Sequence, residues 1–207
     1  MRRSLSACAV ASAVIATAFV APTASAGMVA VSSLAVWEYY VGAAGLTVGT
    51  ETFGGLADGS AASQFTGSVA GIDWTAASTA GVRADGGVVR AAAPVALTFT
   101  FSPGVYAVAG NFFGVNSAGA AVPVLFAATL SDGTAYSGMA PNASSFAGFV
   151  SSDPSQSITS LRITVINLAG SGSVAPAADN LLFGVVPAPG AVALLVAAGL
   201  VGSRRPR

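Results

Sequence analysis

The chain contains no histidine and no lysine, and its one cysteine, Cys8, lies close to the N-terminus. Each absence closes a class of chemistry. Without His a Ser–His–Asp arrangement is impossible, and zinc lacks its nitrogen and sulfur ligands. Without Lys or a retained Cys, covalent nucleophiles shrink to hydroxyls and carboxylates. Charged residues make up only 8 % of the 207 residues, yet a mean hydropathy of +0.75 excludes charge-driven disorder. No basic cluster occupies the middle of the chain, so nucleic acid is excluded as a partner. What is abundant is apolar and small, with 54 % hydrophobic residues and 25 glycines.

Residues 1–26 read as a secretory leader. Arg2 and Arg3 form a basic start, residues 7–20 an apolar stretch, and Ala24-Ser25-Ala26 the small residues that signal peptidase accepts. Cleavage is expected after Ala26, with export machinery and signal peptidase as partners. Leu5-Ser6-Ala7-Cys8 spells a lipobox, but its apolar region follows the cysteine instead of preceding it. Cys8 is therefore read as part of the leader, and the mature chain then has no thiol for disulfides or metals.

At the other end, Val186-Pro187-Ala188-Pro189-Gly190 leads into an apolar run over residues 191–202, closed by Arg204, Arg205, Pro206 and Arg207. Twelve helical residues reach only ~18 Å, too short to span a relaxed bilayer stably, so of transient and permanent membrane anchoring the length suits a transient stop signal better. The terminal arginines hold to the cytoplasmic side and orient the preceding body outward. This order resembles the PEP-CTERM sorting signal of exported bacterial proteins. Pro187 and Pro189 match the motif prolines, Leu194, Leu195, Gly199 and Leu200 the helix, and Arg204 and Arg205 the basic end. Ala188 stands where that family carries Glu. The resemblance implies an exosortase-like sorting enzyme as partner and the cell envelope, surface or extracellular matrix as destination.

Once these ends are set aside, the body keeps Arg83, Arg90 and Arg162 against eight acids, a formal charge of −5. Its patterning has a period of two. Leu97, Phe99 and Phe101 alternate with Thr98 and Thr100, Leu161 and Ile163 flank Arg162, and Val124, Phe126 and Leu130 share a face. Turn residues Asp85-Gly86-Gly87 and Ser131-Asp132-Gly133-Thr134 fall between such runs. Eight to ten short strands are expected, and no amphipathic helix outside the two targeting segments. The fold class is all-β, an antiparallel β-sandwich or jelly roll over residues 49–185. Residues 27–48 are expected to be a first strand or an N-terminal arm. Phe53, Trp74, Phe99, Phe101, Phe113, Phe126, Phe149 and Phe183 are the core candidates.

Segments from Glu51-Thr52-Phe53-Gly54-Gly55 through Gly110-Asn111-Phe112-Phe113-Gly114 to Ala178-Asp179-Asn180-Leu181-Leu182-Phe183-Gly184 also resemble the β-sandwich domains that precede PEP-CTERM tails. The resemblance carries no activity with it. Three functional readings follow from the residues. The first is a structural or matrix-associated surface protein that is not an enzyme. The second is a carbohydrate-binding module for extracellular polysaccharide, with Trp37, Tyr39, Tyr40 and Tyr136 as stacking candidates. The third is a glycan hydrolase using paired carboxylates. For calcium, oxygen ligands would come from Glu51, Asp58, Asp179 and Asn180 if the first and last strands adjoin. The competing reading leaves Glu51 solvated and Asp179-Asn180 as a polar strand edge.

Overall fold

A computed structural model describes residues 27–153, 155–168, 170 and 172–187. The expected leader cleavage site (Ala24, Ala26) and the sorting residues Ala188, Pro189, Gly190, Arg204, Arg205 and Arg207 lie outside the described residues. The elements in chain order are β1 (Met28–Val31), α1 (Leu34–Ala43), β2 (Thr47–Glu51), β3 (Ala61–Val69), β4 (Ile72–Asp85), β5 (Val88–Ala91) and β6 (Leu97–Phe101). There follow β7 (Val105–Val115), β8 (Ala121–Val122), β9 (Val124–Leu130), β10 (Ala135–Ala140), β11 (Phe146–Ser151), β12 (Ser160–Asn167) and β13 (Ala175–Val185). Among the described residues no helix is long and apolar enough to cross a membrane.

The strands run antiparallel in one sheet ordered β1-β11-β7-β13-β5-β4-β6-β12-β9-β10, with β2 on β13, β3 on β4 and β8 on β7. That sheet folds back on itself, so its two halves face each other as the layers of a sandwich. Aromatic rings join them: Phe101 to Phe183 at 5.3 Å, Phe112 to Phe126 at 6.5 Å and Tyr136 to Phe149 at 6.1 Å. All eight aromatic core candidates are buried, and so is Phe112, which the alternation left out.

The corner is β4. It pairs with β6 through Trp74 to Ala77, then with β5 through Val82 to Asp85. Residues 78–81 belong to neither pairing, and the β3 register shifts beside them. Such an irregularity bends a strand and lets it serve two layers. Gly81 makes the bend at φ +83°, where a Cβ would sit 3.0 Å from the Ala62 carbonyl oxygen. The β4–β5 hairpin closes through Gly86 (φ +57°) and Gly87 (φ +80°), as a two-residue turn with positive φ at both central positions requires.

The segment 27–48 departs from expectation. Its first residues do form a strand, since β1 pairs with β11, but α1 follows. The helix was not expected because Leu34, Val36, Tyr39 and Tyr40 remain exposed while Trp37 and Val41 are buried, so no polar stripe marks it. Its end is well specified. Gly45, at φ +67°, donates to Gly42 O, and Leu46 N donates to Val41 O, the paired bonds of a Schellman cap. α1 lies on the outer face of β7 and β11, where Trp37 and Val41 pack on Ala107, Ala109 and Val150.

Candidate functional site

The acids considered for calcium are each engaged locally. Glu51, at the end of β2, accepts from Phe53 N at 2.7 Å through Oε1 and from Trp74 Nε1 at 2.9 Å through Oε2. Asp58 accepts from Gly86 N at 2.8 Å and so braces the β4–β5 turn. Strands β2 and β13 do adjoin, with Glu51 opposite Leu181, but β13 is irregular between Asp179 and Leu182. Asp179 and Asn180 turn instead toward β7. Asp179 pairs with Asn111, and Asn180, at φ +51°, donates to Asn111 Oδ1 at 3.4 Å. Among the described residues no three His, Cys, Asp or Glu side chains gather as a metal site.

Two further acids serve turns. Asp132 accepts from the Thr134 N–H and hydroxyl, at 2.8 and 2.7 Å. Asp153 accepts from the Ser155 hydroxyl and N–H, which hold its carboxyl below the usual value. Asp179 is different, because partial burial pushes its carboxyl up against the opposing pull of the Asn180 N–H. A carboxyl whose folded-state pKa is raised binds its proton more tightly in the folded chain. Stability from this group is therefore full at low pH and is lost as pH rises through the folded-state pKa. Asp179→Asn should accordingly raise the melting temperature at pH 7, and the gain should shrink as the wild type is brought below the carboxylate range. A melting curve at each pH checks it.

The aromatic candidates divide. Trp37 is fully buried and donates from Nε1 to Phe149 O at 3.3 Å, which removes it from any sugar-stacking role. Tyr136 is half-buried, with its ring against Phe126 and Phe149. Tyr39 and Tyr40 remain exposed on α1, edge to face at 5.7 Å.

A cleft of about 590 Å³ opens on the outer face at the β4 corner. It forms because residues 78 and 79 have left β6 while the segment before β6 crosses beside them. Ser78 and Thr79 line one side, Val95 and Ala96 another, and Thr98 with Arg162 the sheet side. Register explains the last pair, since Ala77 lies opposite Thr98 and Thr98 opposite Arg162 across β4, β6 and β12. The period-two reading already put Arg162 on the outward face, but nothing local to the sequence brings it beside residues 78 and 95. Arg162 has no hydrogen-bond or ion-pair partner among the described residues. The Ser78 hydroxyl is buried without a partner among the described residues. Compared with protein-family models, curated proteins and solved structures, the chain matches none.

Proposed function

We propose that this chain is an exported β-sandwich protein sorted to the cell surface, where it serves a structural or matrix-associated role and not a catalytic one. The observation that carries the reading is where the body is entered and left. Ser152 N donates to Gly27 O, just before β1. Val186, just after β13, lines a pocket with Ser151, Ser152, Leu46 and Tyr106. Both ends of the body therefore lie at one pole of the sandwich. This supports a body tethered at that pole, with the outer face of β6, β12 and β9, which α1 does not cover, left to the surroundings. The apolar character of Val186, 58 % exposed, suits a chain continuing into an apolar run.

A full chain carrying a C-terminal tag tests this, followed with an antibody against the body. The expected result is a surface-exposed body that begins after Ala26 and has lost the tag. A tag retained on the surface-exposed protein would overturn the sorting step, and an intact chain in the cytosol would overturn the whole reading.

A further inference from the structure

The cleft at the β4 corner has a lining that matches one ligand class, and the inference rests on the matrix-associated reading above. We propose that it binds a carboxylated polysaccharide, with Arg162 as the side chain that recognises the carboxylate. The electrostatic argument comes first. Arg162 lies opposite Thr98 on one side and Thr129 on the other. Ser160 and Thr164 precede and follow it on the same face of β12. None of these groups is negative, so among the described residues the cation has no counter-ion, on a body of formal charge −5. An arginine without a counter-ion presents a planar fork of donors, and the group that fits that fork bidentately is a carboxylate or another oxyanion.

The rest of the lining narrows the choice. Thr79 and Thr98 offer hydroxyls that both donate and accept, the counterpart of sugar hydroxyls. Val95 and Ala96 offer small apolar contact for the C–H faces of a sugar ring. With one cation and no second basic group in the lining, a densely charged phosphate or sulfate polymer finds little to hold it. A uronate unit, with one negative charge and several hydroxyls, uses all three kinds of wall. The cleft is also open to solvent, so a long polymer can reach it.

The test is native gel electrophoresis of the full chain in mild detergent, through gels holding polygalacturonate, dextran or dextran sulfate. Retardation by polygalacturonate alone is expected. Arg162→Gln should weaken it at least tenfold, judged from the polymer concentration giving half-maximal retardation. Thr98→Val should weaken it severalfold. Arg83→Gln, which removes a positive charge outside the cleft, should leave it unchanged, as it would not if retardation reflected net charge. Equal retardation by dextran, preference for dextran sulfate, or an Arg162→Gln protein that matches wild type would each overturn the site. Correct surface sorting without polygalacturonate binding would remove this site and keep the sorting; binding by a chain that stays in the cytosol would do the reverse.

Discussion

Trp37→Ala is expected to lower the free energy of unfolding by about 3–5 kcal/mol, the range for truncating a fully buried large aromatic side chain. The indole is 0 % exposed, sits between α1 and the outer face of β7 and β11, and hydrogen-bonds the Phe149 carbonyl. That face is built from small residues to receive it. A Cβ at Gly148 would overlap the Trp37 ring, and Ala107 and Ala109 continue the shallow surface. Gly148→Ala should therefore cost about 1–3 kcal/mol through overpacking. The double variant should cost less than the two together, since the added methyl then enters space the ring has left. Urea unfolding of the full chain, followed by far-ultraviolet circular dichroism, measures all three. A Trp37→Ala loss below 1 kcal/mol would mean that α1 is an appendage and not part of the core.

Much of the sheet is legible in the residues because its causes are local. Alternation in Leu97–Phe101 and Ser160–Asn167 marks which face is buried, and the Gly-Gly and Asp-Gly turns mark two hairpins. α1 was not legible for an equally local reason. Its exposed side carries Leu34, Val36, Tyr39 and Tyr40, so hydrophobicity does not separate one face from the other. The signal present was at its end, where Gly45 followed by Leu46 spells a left-handed cap with an apolar residue to fold back. Pairings between distant strands, such as β1 with β11 and β13 with β7, depend on tertiary contacts that no short window contains.

The same division holds for the sites. The side-by-side placement of β2 and β13 follows from sandwich logic, and the structure has it. Which oxygens remain free does not follow, because the donors that occupy Glu51 come from Phe53 and Trp74, one of them 23 residues away. The cleft beside Arg162 depends on β4 leaving β6 after Ala77, an event that the sequence marks only with Gly81.

Glu51→Ala is the second substitution with a large expected effect, a loss of about 2–4 kcal/mol, because it strands two donors at once. One is the Trp74 indole N–H, on a side chain only 2 % exposed. The other is the Phe53 N–H, on a residue held at φ +56°, a conformation that non-glycine residues rarely adopt. Phe53 in turn packs edge-on against Trp74 at 5.3 Å and stacks on Phe99 at 6.1 Å, so the carboxylate fixes the turn after β2 to the centre of the core. Glu51→Gln should fall between wild type and Glu51→Ala, because one amide oxygen can satisfy one donor while the amide N–H₂ confronts the other. Trp74→Phe removes a donor, so it and Glu51→Ala should be less than additive, with a coupling of about 1 kcal/mol or more. Because both carboxylate oxygens are already committed, millimolar calcium should leave the wild-type melting temperature where it is. A calcium-dependent rise that vanishes in Glu51→Gln would instead make the carboxylate a metal ligand, and the hydrogen bonds to Phe53 and Trp74 a feature of the metal-free protein alone.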